Sequence, residues 1–158
     1  MEPMLSLNPS ESDFLTCTID SLRQVIHISN TIEAPILCNE TALLTEMCVL
    51  VGFTGEICGR MLIDGSIQSF RRLGEMMFGM ELEGEMLHSF VGEIANMVAG
   101  SICTFISQKG RNVDIAPPTI MEGEIKLFGF VKAILVPLAI DGVGKMNIIL
   151  LVKEEKVV

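Results

Sequence analysis

The segment GEMLHSFVGEIANMVAGSICTFISQK, residues Gly84 to Lys109, does most to decide the fold class predicted for this chain. Its apolar residues recur at helical spacing, and a helix of this length would measure about 40 Å at about 1.5 Å per residue. Such a helix can cross a whole sheet. At about 100° per residue, its core face is predicted to hold Leu87, Phe90, Val91, Ile94, Met97, Val98, Ile102 and Phe105.

The sequence before this helix predicts another helix, an extended hairpin and a second helix. Ser10 is the predicted N-cap of the first helix, which should end near His27 to Asn30, and an irregular or weakly extended run should follow to Glu40. The hairpin should pair the apolar runs Glu46 to Phe53 and Ile57 to Asp64, and the second helix should run from Ile67 until Gly79 ends it.

The sequence after the long helix predicts three extended runs: Val113 to Ile120, Lys126 to Ile140 and Lys145 to Val152. Pro117 and Pro118 forbid helix in the first, and Pro137 indicates a bulge or an edge position in the second. This order predicts one α+β domain over residues 1–158, a two-layer sandwich with long helices packed against an antiparallel sheet of about five to six strands. Met47 to Val51 and Ile148 to Val152 lack polar alternation, so either both sheet faces are covered or part of one is buried between subunits.

Composition excludes several classes of protein. Eleven basic and 20 acidic residues give a formal charge of −9 without a basic cluster, so we expect no nucleic-acid partner. The longest uncharged stretch, Ile94 to Gln108, is too short and too polar to span a membrane, and no secretory signal is visible. Five cysteines without a C-x-x-C pair, and two isolated histidines, predict neither a disulfide framework nor a metal site, and the cytoplasm is the expected compartment.

A polar stripe follows one edge of the long helix, away from its apolar face. Ser89, Glu93, Asn96 and Gly100 share this edge. A solvated helix face is the simplest interpretation. However, asparagine is a poor residue in a helix interior. Gly100 costs about 1 kcal/mol of helix propensity relative to alanine, yet it leaves room for the backbone of another protein.

These residues resemble the CheC/CheX/FliY phosphatases of bacterial chemotaxis. The family motif is a Ser or Asp, a Glu four positions later, an Asn three positions after that, and a proline roughly twenty residues on, here Ser89, Glu93, Asn96 and Pro117-Pro118. Glu93 is the only glutamate followed at that spacing by asparagine, so the second site of the CheC type is missing and the CheX type is the closest. The resemblance covers roughly residue 45 onward.

The resemblance implies an enzyme that hydrolyses the phospho-aspartate of a CheY-type receiver domain. Asn96 would orient the attacking water, Glu93 would bind a lysine of the receiver, and Gly100 would lie at the contact. Ser89 could cap the contact or simply be solvated. Mg²⁺ is expected on the receiver and no cofactor on this chain. A homodimer with one site per chain is also implied. The prolines are expected to hold the chain in an extended path.

Two questions stay open at this stage. A non-catalytic module could bind a receiver domain, or serve in a flagellar-switch assembly, through the same helix edge. Met76, Met77 and Met80 could be core residues or a flexible contact surface, and we expect core.

Overall fold

The computed structural model describes residues 6–39 and 41–153. Within them lie three helices: α1 (Pro9–Val25), α2 (Ile67–Phe78) and α3 (Gly84–Gln108). The strands, in chain order, are β1 (Asn30–Ile32), β2 (Ile36–Cys38), β3 (Ala42–Gly55), β4 (Gly59–Gly65), β5 (Val113–Ile115), β6 (Thr119–Lys126), β7 (Lys132–Ile140) and β8 (Gly144–Val152).

The strands form one antiparallel sheet in the order β1-β7-β8-β4-β3-β5, and β2 and β6 add to β7 and β3 respectively. The predicted α+β class is confirmed, but the sheet has eight strands rather than five to six. Two short strands arise within the run from Asn30 to Glu40, where the sequence indicated irregular chain. One further strand arises because the prolines divide the expected single run Val113 to Ile120 into β5 and β6.

Side chains from the helices and one face of the sheet form the main core. Met47, Val49, Val51 and Phe53 alternate along β3 to meet it, as expected for a strand with one face against helices. The prediction that Met97 belongs to the core face of α3 was wrong, since Met97 is 41% exposed. α3 packs against α1 as well as the sheet, and its buried face therefore extends to Ala95, Ala99 and Ile106, away from Met97.

α3 is the one helix in the described part of the chain that is long and apolar enough to cross a membrane, judged by length and composition alone. A helix in a protein core passes the same test. Val91, Val98 and Ile102 of α3 are fully buried against the sheet and α1. α3 therefore serves as the core helix of this fold.

The second face of the sheet carries a smaller apolar cluster. Cys48, Leu62 and Leu151 are buried in it together with Leu127, which follows β6. The pairing of β3 with β6 shifts between Thr45 and Cys48, and the backbone amide of Leu127 donates to the Thr41 carbonyl. The Arg60 guanidinium donates to the Phe128 carbonyl. The apolar strands were expected to be covered on both faces or partly buried between subunits. The segment of Leu127 and Phe128, which follows β6, covers at least part of the second face from within the same chain.

The first helix begins and ends differently from the prediction. Asn8, rather than Ser10, is its N-cap: the Asn8 side chain accepts from the Glu11 amide, and the Glu11 carboxylate accepts from the Asn8 amide. This reciprocal capping box, with Pro9 at the first helical position, fixes the start. The helix ends at Val25, before His27, and the chain then extends into β1.

Two expectations about the last strands were also wrong. The run from Lys126 to Ile140 is divided, since β6 ends at Lys126 and β7 begins at Lys132. Pro137 lies neither at a bulge nor on an edge strand, because β7 pairs with β8 without interruption on one side and with β1 and β2 on the other. Pro137 is tolerated because it lies opposite the break between β1 and β2.

Candidate active site

The polar edge of α3 lies above one side of the sheet. α3 contacts β3, β5 and β6, and α1 packs against it elsewhere. Residues 116–118 connect β5 to β6, and both strands pair with β3. The backbone amide of Ala116 donates to the Gly52 carbonyl of β3 at 2.9 Å. The connection is therefore held on the same strand that supports the helix.

An open groove of about 550 Å³ separates α3 from this connection. Ser89, Gly92, Glu93 and Asn96 line its helix side, and Ile115, Ala116, Pro117 and Pro118 line the other. Three of the four predicted site residues are thus brought to one groove. Gly100, one turn beyond Asn96, lies outside its lining, and a Cβ placed on Gly100 would meet no atom within 4 Å.

The three polar side chains of the groove are available to a partner. Ser89, Glu93 and Asn96 are all exposed. Among the described residues, none of the three makes a side-chain hydrogen bond or an ion pair. A carboxamide that is neither buried nor engaged within its own chain can donate and accept at the same time.

The sequence indicated an extended path for the prolines, but not that they face Asn96. Pro117 and Pro118 form the wall opposite the helix, and the Pro118 ring would lie 3.6 Å from a Cβ at Gly92. Gly92 was not singled out from sequence, although it lies in the middle of the motif. The sequence did offer a signal for Gly92, since this glycine lies on the same edge of α3 as Ser89 and Asn96.

The titratable groups with shifted pKa values lie outside the groove. Burial raises the pKa of the Asp64 carboxyl, and hydrogen bonds with Thr45 and Asn147 oppose the rise. Burial, reinforced by Asp64, raises the pKa of the Cys48 thiol to about 12. His88 Nε2 lies 3.8 Å from Glu122 Oε1. Within the described ranges, no three His, Cys, Asp or Glu side chains are placed to hold a metal ion.

The groove therefore presents one carboxamide and one carboxylate on successive turns of a rigid helix. It lacks the paired carboxylates or the histidine that acid–base hydrolysis commonly uses. Such a pair suits the orientation of water and the binding of a cation supplied by another molecule.

The prediction that Met76, Met77 and Met80 are core residues was only partly right. Met77 packs against the main core, whereas Met76 and Met80 are exposed.

Comparison with known proteins agrees with this fold. The model of the family described as "Chemotaxis phosphatase CheX" matches residues 47–127. The CheY-P phosphatase CheX of Thermotoga maritima is 30% identical over 118 residues, which cover 71% of this chain and 76% of that protein.

Several solved structures share the fold. The chemotaxis protein CheX from Desulfovibrio desulfuricans superposes with a TM-score of 0.77 at 19% identity, covering 92% of this chain and all of that one. The CheX of the CheX-CheY-BeF3-Mg complex from Borrelia burgdorferi superposes with a TM-score of 0.72 at 24% identity. The match covers 90% of this chain and 97% of that one. The matched family segment contains most of the β3–β4 hairpin, α2, the whole of α3 and the proline wall. The chain therefore belongs to the CheX family of chemotaxis phosphatases.

Proposed function

We propose that this chain is a phosphatase that accelerates hydrolysis of the phospho-aspartate of a CheY-type receiver domain. Its Thermotoga maritima relative is a CheY-P phosphatase, and a CheX–CheY complex exists for the Borrelia burgdorferi protein. The observation that carries the proposal is the placement of Glu93 and Asn96, both exposed and without partners in the described chain, on one edge of α3 beside an open groove.

Asn96 orients the attacking water in this proposal. Its Oδ1 accepts a hydrogen bond from the water, and its Nδ2 donates to a phosphoryl oxygen. The water oxygen forms a bond to phosphorus as the bond to the aspartyl oxygen breaks. This yields the free carboxylate and inorganic phosphate, which keeps both protons of the water. An acyl phosphate is a reactive substrate, so positioning of the water suffices without a side chain of shifted pKa.

Glu93 binds the receiver domain, and Ser89 and Gly100 lie at the contact. The Glu93 carboxylate accepts a charge-assisted hydrogen bond from a lysine ammonium of the receiver. Mg²⁺, bound by the receiver's own carboxylates, would neutralise charge on the phosphoryl group. This chain supplies no metal ligand and no cofactor in the proposal.

The test follows the decay of a phosphorylated receiver domain with substoichiometric amounts of this chain. We expect the wild-type chain to accelerate decay catalytically. Asn96→Ala should abolish the acceleration and leave binding largely intact, whereas Glu93→Ala should weaken both. Asn112→Ala and Glu124→Ala remove exposed side chains of the same chemistry outside the groove, and both should behave as wild type.

The outcomes separate catalysis from simple binding. Binding without any acceleration by the wild-type chain would favour the adaptor function. Full activity in a Glu93→Ala/Asn96→Ala double variant would exclude the helix-edge mechanism altogether.

We also propose that the chain is a cytoplasmic homodimer with one site per chain. Apolar side chains remain exposed on the segments near the second sheet face, including Leu44 at 83% and Phe128 at 71%. Exposed apolar surface of this kind is typical of interfaces. The chain has five cysteines, an odd number without a C-x-x-C pair, which is typical of unpaired thiols in a reducing compartment.

Light scattering after size exclusion should give twice the 17.3 kDa mass of the chain. Phe128→Glu should shift the wild-type dimer toward monomer, while Glu81→Lys, at an exposed charged position between α2 and α3, should not. A monomer at every concentration of wild-type chain would rule out the dimer.

A further inference from the structure

We infer that Phe78, Met86 and Met97 form an affinity-determining contact surface for the receiver domain, on the opposite side of Glu93 from the proline wall. This surface is called the methionine face below. The inference rests on the proposed function and extends it, because it assigns receiver affinity to residues outside the family motif.

The methionine face adjoins the candidate active site. Met86 and Phe78 are each 57% exposed, and Met97 directly follows Asn96. On the helical wheel Met86 and Met97 lie within about 40° of Glu93. Phe78 joins them through Phe90 of α3, since the two rings meet edge to face with centroids 5.6 Å apart.

A stable interface is large enough that any receiver bound at Asn96 also contacts Met86 and Met97. A standard interface covers about 800 Å² on each partner, equivalent to a patch roughly 16 Å in radius. Met97 is about 6 Å along the helix from Glu93, and Met86 is about 10 Å from it in the other direction. A receiver centred on Glu93 and Asn96 therefore covers both methionines.

The charge around the methionine face favours a receiver domain over a second copy of this chain. No lysine or arginine occurs between Arg72 and Lys109, whereas that stretch contains five exposed glutamates: Glu75, Glu81, Glu83, Glu85 and Glu93. A second copy of this chain would bring the same negative charges against them, which disfavours self-association through this face. A receiver that offers a lysine to Glu93 has the complementary charge.

Methionine chemistry suits such a contact. Unbranched thioether side chains adjust to the shape of the partner, and aromatic and methionine residues are enriched at the centres of interfaces. The methionine face thus supplies apolar contact energy, while Asn96 acts only on the reacting water.

The test measures binding and turnover separately in the intact chain. Binding is measured to a CheY-type receiver of the same organism loaded with beryllofluoride and Mg²⁺, and turnover as decay of the phosphorylated receiver. We expect Met97→Gln to weaken binding and raise KM about tenfold, and Met86→Gln/Met97→Gln to do so by more, with kcat unchanged. Met76→Gln is the matched control, since Met76 is a comparably exposed methionine that lies against the Gly142 turn instead.

Each outcome has a distinct meaning. If the wild-type chain neither binds the loaded receiver nor accelerates decay, the proposed function fails and this inference fails with it. If it does both, but the Met86 and Met97 variants match Met76→Gln, the inference alone is wrong. A fall in kcat at unchanged KM would also overturn it. Because both methionines are exposed, the variants should melt at the wild-type temperature.

Discussion

At the scale of single residues, the helix edge keeps two residues that lower its own stability. Asparagine and glycine are both unfavourable in helix interiors, yet Asn96 makes no side-chain hydrogen bond within the described chain, and Gly100 has open space beside it. No internal contact explains either residue. Under the proposed function, contact with a receiver domain accounts for both.

Gly100 therefore gives a prediction in which stability and activity change in opposite directions. Gly100→Ala should stabilise the chain by about 1 kcal/mol, or roughly 2–4 °C in Tm, because alanine is the better helix former and its Cβ meets no neighbour. The added methyl group should obstruct the receiver and raise KM. Thermal melts and decay kinetics on the same preparation measure both effects.

A Gly100→Ala variant with raised Tm and unchanged KM would show that the space beside Gly100 is not used by the receiver. Gly110→Ala is no suitable control, since Gly110 has a φ of +85° that alanine adopts with strain. Ser107→Ala, at an exposed position two turns beyond Gly100, is the better comparison.

Sequence reasoning located the polar stripe because angular position on a helix depends only on residue spacing. Glu93 and Asn96 lie where the wheel predicts. Met97 was misplaced because the packing of α1 rotates the buried face, and this depends on residues more than 70 positions away. Pro118 faces Gly92 because β5 and β6 pair with β3, and residue spacing along the chain does not encode this pairing.

At the scale of elements, a central strand of the sheet carries a half-buried carboxyl group near its end. Asp64 on β4 pairs across the sheet with Asn147 on β8, and it accepts a hydrogen bond from Thr45 on β3. Burial nevertheless raises the pKa of Asp64, so the desolvation cost of the charged carboxylate exceeds what its hydrogen bonds return.

Asp64→Asn should therefore remove a pH-dependent penalty. The folded-state pKa lies above the ordinary value of 3.8, so the folded chain binds more protons than the unfolded chain in the pH range just above 3.8. The free energy of unfolding consequently falls as pH rises through that range. The variant, which still accepts from Thr45, should be more stable than wild type at pH 7 and equal to it at low pH.

Melting temperatures between pH 4 and pH 8 provide the measurement. Asp141→Asn, an exposed turn position, controls for the change in net charge. An Asp64→Asn variant that loses stability at pH 7 would mean that the hydrogen bonds outweigh the burial of the charge.

The elements that sequence predicted well are those with strong local patterns. α2 begins after Ser66 and ends at Gly79, which adopts the left-handed conformation that favours glycine. β1 and β2 escaped prediction because three-residue strands form only through their pairing with β7. The extension of β3 back to Ala42 likewise depends on β6 as its partner.

At the scale of the whole molecule, one ion pair ties the start of the chain to its last hairpin. The Lys132 ammonium of β7 lies 2.8 Å from the Glu11 carboxylate of α1 and also donates to the Ser6 carbonyl. The Glu11 side chain is nearly fully buried. A charge in that position is tolerated only while its partner remains.

Lys132→Met should therefore destabilise the chain by about 3–5 kcal/mol, because it leaves the Glu11 carboxylate buried and unpaired. Glu11→Gln/Lys132→Met should recover much of this loss, since no charge is then stranded. Urea denaturation of the four members of this cycle gives the coupling energy. Additive losses in the double variant would contradict the assignment.

The pairing of β3 with both β5 and β6, under α3, has a consequence for signalling under the proposed function. The helix that carries Asn96 and the proline wall that faces it are both supported by β3. The groove is therefore already assembled before the protein meets a receiver. No closing motion has to precede each turnover. The duration of a chemotactic signal then depends on how many copies of this protein the cell makes, and expression level becomes the natural point of adjustment.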